Sequence, residues 1–160
     1  MVETEKAQWQ ENVVLVDADF MDRLIFEVTV QMERMLFRPL PKLDIAQWLD
    51  YVALDGGLRP GPNKVQVLFI YSKEKAILKN MLPANLKEEL DGKAFSDNLG
   101  EFTLSSFPVE TEVVSSGQLF IQSVEALLSS NKVKKVMLVA DMPEYGAELG
   151  KLLRETNEKD

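Results

Sequence analysis

The chain has 160 residues, 46% of them hydrophobic, and a formal net charge of −8 at pH 7. That length and apolar share predict one globular domain over 1–160, and the negative charge argues against a broad nucleic-acid footprint, which needs clustered Lys and Arg to replace phosphate counterions. With no Cys and no His, no disulfide, zinc site or haem is expected, and a metal site would be built from carboxylates, carbonyls and water, which favours Mg or Mn.

Residues 1–11 carry neither a basic start nor the apolar core of a secretory signal, and they are expected to be a flexible tail, as are 156–160. No apolar run approaches the roughly 18 residues of a membrane span, so a cytoplasmic location without a membrane partner is the expectation. The run Val13 to Ala18 reads as a buried strand, and it stops at two carboxylates, Asp17 and Asp19. Phe20, Leu24, Val28, Met32, Met35 and Leu36 then recur at three or four positions, predicting a helix that ends before Pro39 and turns that face to the core. The connection Phe37-Arg38-Pro39-Leu40-Pro41 is the candidate for an exposed apolar patch.

A second helix is predicted over Leu43 to Leu54, closed by Asp55-Gly56-Gly57, and a second strand over Val65 to Tyr71. Ser72 is a plausible cap for a helix starting at Lys73-Glu74-Lys75 and carrying Ile77, Leu78, Met81 and Leu82 up to Pro83, which could restart a short helix through Leu90. Lys93 to Ser96 and Phe102 to Ser105 could pair as a hairpin, the latter inside a strand over Phe102 to Phe107. A helix capped by Ser115 or Ser116 runs to Leu128, a fourth strand covers Val133 to Ala140, and Tyr145, Leu149, Leu152 and Leu153 mark a final helix.

Strands that are apolar on both faces and alternate with helices predict an α/β fold: a mostly parallel central sheet of four to five strands, covered by helices on each side. Right-handed crossovers put all strand C-terminal ends along one edge, so Asp17 and Asp19 would share a crevice with Asp141 and Glu144 if the first and fourth strands are neighbours. Each acid also has a plain structural role available. Asp19 can cap the first helix, Asp141 or Met142 the last, Glu112 can be a loop acid, and Asp22 a first-turn or surface acid. Arg23 could reach a phosphate or pair with Glu27, the latter being the preferred reading; Ser115, Ser116 and Gly117 could bind an anion, although Ser at a cap is common. The lysines at 73, 75 and 79 and at 132, 134 and 135 read as solvated faces. Asp17 is different, because a carboxylate inside an apolar run requires a cation, a donor network or a ligand.

With Asp17 ending the first strand and Leu138-Val139-Ala140-Asp141-Met142-Pro143-Glu144-Tyr145 opening the last helix, the chain resembles the NYN family of the PIN-like nuclease superfamily. The resemblance implies a PIN-like three-layer α/β/α sandwich and a ribonuclease dependent on Mg or Mn. Asp17, Asp141 and Glu144 would be its catalytic residues, and Asp17, Asp19, Glu112, Asp141 and Glu144 its metal ligands, with metal-bound water attacking phosphate. The chain departs from the family's pattern: Gln118 stands at the second mid-chain Asp, the preceding Lys-Gly pair is absent, and an ungapped match puts Met142 at one Asp of the last motif. Such losses could abolish turnover and keep the fold, so a non-catalytic descendant binding RNA, a nucleotide, another protein or a second copy is the alternative. Leu15-Val16-Asp17-Ala18-Asp19 is also similar to the acidic pocket of response-regulator receiver domains, but only one helix follows Asp141, which ranks that reading lower.

Overall fold

The computed structural model describes residues 9–110 and 116–155. In chain order the elements are β1 (Asn12–Asp17), α1 (Ala18–Leu36), β2 (Leu43–Asp44), α2 (Ile45–Asp55), β3 (Lys64–Ser72), β4 (Met81–Leu82), β5 (Ala94–Asp97), β6 (Gly100–Val109), α3 (Ser116–Leu128), β7 (Lys135–Val139) and α4 (Met142–Glu155). A 3-10 turn covers Lys73–Lys75 and a π-helical turn Leu86–Leu90.

The main sheet runs in the order β5-β6-β3-β1-β7, with β2 and β4 forming a small pair apart from it. Neighbours among β6, β3, β1 and β7 are parallel and β5 is antiparallel to β6, so the sheet is mixed and mostly parallel. The register sorts side chains into two cores. Leu104, Val67, Val14 and Met137 form one row across the sheet and belong to a cluster with Ala18 and Met21 of α1 and Ile45, Leu49 and Ala53 of α2. One residue further on, Leu15 and Leu68 face the opposite way and join Phe120, Val124 and Leu127 of α3 with Tyr145 and Leu149 of α4. Continuous apolar strands are the consequence of burial on both faces.

Gly100 makes the β5–β6 hairpin possible: its φ is +139°, and a Cβ there would stand 2.3 Å from the carbonyl oxygen of Asn63. The expected pairing of these two segments is present as Phe95 opposite Phe102, whose rings stack at 4.7 Å.

Two expected elements come out differently. The segment after Ser72 makes only one 3-10 turn, because longer-range partners take its backbone: Asp22 accepts the N–H groups of Lys79 and Asn80, and Met81–Leu82 pairs with Leu43–Asp44. Leu78 and Met81 are still buried, whereas Ile77 is exposed. The apolar face read on α1 is not a core face. Leu24, Val28, Met32, Met35 and Leu36 are all exposed, and beyond Ile25 no α1 residue belongs to either cluster. Helical spacing reports an apolar stripe without saying what covers it. The Phe37–Pro41 connection is open as expected, with Phe37 93% exposed. Among the described residues no helix is long and apolar enough to cross a membrane.

Candidate functional site

β1 lies between β3 and β7, and this adjacency brings the acid at the end of β1 to the acid that follows β7. Asp17 and Asp141, at 3% and 6% exposure, are the buried acids among the described residues. Tyr145 joins them. Its hydroxyl donates to Asp17 Oδ2 at 2.8 Å and accepts the backbone N–H of Asp141 at 3.0 Å. The other Asp17 oxygen, Oδ1, accepts the N–H of Phe20 at 3.1 Å and so caps α1.

Asp141 is held from three sides. Its Oδ2 accepts from Arg23 Nη2 at 2.6 Å, its Oδ1 accepts the N–H of Glu144 at 3.4 Å, and its carbonyl accepts the N–H of Tyr145 at 3.1 Å. Arg23 spans from α1 to the start of α4, with its guanidinium 5.7 Å from the centre of the Phe20 ring. Arg23 therefore neither pairs with Glu27 nor stands free on the surface. Tyr145 reaches the pair because the first turn of α3 carries Gly117, where a Cβ would meet the ring at 2.8 Å, and because Phe120 packs on the ring at 5.4 Å. Gly117 thus makes room for an aromatic side chain.

Desolvation by burial raises the Asp17 pKa above the usual carboxylate value; the Tyr145 and Phe20 hydrogen bonds counter it, while the Asp19 and Asp141 charges add to it. Burial likewise pushes the Tyr145 hydroxyl upward, so it stays a neutral donor. Glu144 is raised by desolvation and then by the neighbouring Asp141 carboxylate.

The remaining candidates disperse. Asp19, expected as cap or ligand, accepts from both the N–H and the hydroxyl of Ser72 at the end of β3, while Asp17 does the capping. Ser72 therefore acts as a donor to Asp19 and makes no side-chain cap. Asp22, expected on the surface, holds the loop at Lys79 and Asn80 through three N–H donors. Glu144 alone stays beside the pair: it is exposed, with its carboxyl against that of Asp141. Glu112 and Ser115 lie outside the described residues. Beside the Asp17–Tyr145–Asp141 group a cleft of about 600 Å³ opens between the first turns of α1 and the 74–80 segment; Asp19, Asp22, Arg23, Lys75 and Lys79 line it, whereas Asp17 and Asp141 do not.

A divalent cation of the Mg or Mn kind requires several converging oxygen ligands at short range. Here both oxygens of Asp17 and of Asp141 already accept hydrogen bonds, a guanidinium supplies the positive charge at Asp141, and Asp19 is turned to Ser72. Among the described residues no group of three or more carboxylates is arranged to hold a metal ion. In the described residues these acceptors are taken up by protein donors, and the charge at Asp141 is met by Arg23. Tyr145, Arg23 and Ser72 complete the network, in roles other than those expected of them. The available signal was the cost of a buried Tyr hydroxyl or carboxylate without a partner, which demands that each find the other.

The molecule is thus a mixed, mostly parallel α/β domain with a self-satisfied acidic pair at the junction of its first and last strands. Residues 6–160 match the family of unknown function DUF6621, and the chain belongs to that family. No curated protein and no solved structure matched the chain.

Proposed function

We propose that this chain is a PIN/NYN-like domain, a three-layer α/β/α sandwich, whose acidic crevice is closed by its own side chains and which works as a protein-interaction module instead of a metal-dependent ribonuclease. Counted along the chain, the parallel strands stand in the order 3-2-1-4, which puts the reversal of strand order between β1 and β7. Open α/β sheets bind ligands outside that reversal point. The observation that carries the reading is what occupies this position: the Tyr145 hydroxyl between Asp17 and Asp141, with Arg23 on the outer carboxylate. A protein partner suits the rest of the surface, because the net charge of −8 opposes RNA and α1 leaves apolar side chains uncovered.

The test is Mn²⁺ titration followed by electron paramagnetic resonance, run beside cleavage of single-stranded RNA, on the full chain and on Asp17→Asn. The expected result is no metal retained at micromolar concentration and no metal-dependent cleavage. Tight Mn²⁺ binding together with cleavage, both lost in Asp17→Asn, would restore the nuclease.

A further inference from the structure

From Leu24 to Met35, α1 carries a mostly apolar seam that no described residue covers. Leu24, Val28, Gln31 and Met35 follow one another at spacings of four, three and four, the alternation that lets one helix lie along another. All four are exposed, Met35 by 77%. Glu27 and Arg34, one heptad apart, stand on the same flank of that seam, and neither forms an ion pair among the described residues.

That flank decides what fits. When two helices pack antiparallel, equivalent flanks face each other, so a second copy reversed about a two-fold axis brings its Arg34 toward Glu27 and its Glu27 toward Arg34. Leu24 then meets Met35 of the other copy, and Val28 meets Gln31. A parallel pair would set Glu27 across from the position of Met32, which offers no charge. We infer that α1 is a homodimer interface in which two copies pair antiparallel along Leu24, Val28, Gln31 and Met35, with register fixed by two Glu27–Arg34 ion pairs. The seam spans about 17 Å at 1.5 Å per residue, a short contact, so the dimer should be reversible and concentration-dependent. The inference is independent of the crevice: an active nuclease would overturn the preceding proposal and leave this one standing.

Sedimentation equilibrium on the full chain from low to high micromolar concentration tests it, with circular dichroism confirming that each variant is folded. The expected species has twice the 18.1 kDa chain mass. Val28→Glu alters an exposed residue, so the fold is retained and the protein becomes monomeric at every concentration. Glu27→Arg alone and Arg34→Glu alone each place like charges face to face and weaken association about tenfold, and the two together restore it. A wild-type protein that is monomeric throughout, as would follow if residues 1–8 or a different protein cover the stripe, overturns the inference. So does a dimer that survives Val28→Glu, or a double charge swap that fails to recover the affinity lost by the single swaps.

Discussion

The two ends of α1 are built on opposite terms. In its first turns nearly every polar side chain is tied to another element: Asp17 to Tyr145, Asp19 to Ser72, Asp22 to Lys79 and Asn80, and Arg23 to Asp141, while Ala18 and Met21 are buried. From Val28 onward the helix contributes nothing to either core and ends in Phe37, held at φ 56° with its ring in solvent. A helix can therefore be fixed by polar contacts at one end and keep its apolar surface for a partner at the other. The first turns are anchored in the fold, and the proposed interface falls on the residues from Leu24 to Met35 that the fold leaves exposed.

The largest way to break that division is Tyr145→Phe. It removes one hydroxyl and leaves a buried carboxylate oxygen and a buried N–H without their partner, so unfolding in urea should show a loss of about 1–3 kcal/mol, with no change in self-association. A weakened dimer would show that the two halves are coupled. Phe37→Gly sharpens the contrast from the other side. A bulky residue in the left-handed region costs about 1–2 kcal/mol that glycine avoids, and a ring 93% exposed gives little burial in return, so the melting temperature should rise. A fall would mean that the ring is packed in solution.

Much of the fold could be read from the residues, because apolar runs bounded by turns are short-range signals. The four strands from Val13, Val65, Phe102 and Val133 occur within a few residues of their expected limits, and so does the hairpin at Phe95 and Phe102. The Lys73 helix was not legible, since its backbone goes to Asp22 and to β2, partners more than thirty residues away in sequence. The core face assigned to α1 failed for a related reason: Leu24 and Met35 have the spacing of a core stripe, and only the position of the sheet decides that they stay outside. At the site, the meeting of Asp17 with Asp141 followed from strand adjacency, which parallel crossovers make predictable. That Tyr145 and Arg23 satisfy the pair was hidden, because a tyrosine at helical spacing reads as one more apolar residue and an arginine on a helix as solvated charge.

The smallest effect concerns pH, and it separates the polar end of α1 from an unrelated carboxyl. Asp17 and Glu144 are raised mainly by burial, and so is Asp50 of α2, pushed up to about 6 by burial and by the neighbouring Asp97 carboxylate, with its Oδ1 lacking a hydrogen-bond partner. A carboxyl with a raised pKa binds more protons folded than unfolded between its unfolded value near 4 and its folded value, so its contribution is full below that window and is lost as pH rises through it. Stability should therefore increase when the pH is lowered from 7 toward 5, against the usual course of acid unfolding. Asp50→Asn removes the Asp50 share: the variant should melt higher than wild type at pH 7, and the difference should close as the pH approaches 4. What slope remains in the variant belongs to Asp17 and Glu144 at the head of the crevice, and adding Asp17→Asn should flatten it further. If Asp50→Asn left the whole slope in place, the acid response would lie with the crevice alone; if it removed all of it, the Asp17–Tyr145 bond would be holding Asp17 at its unfolded value.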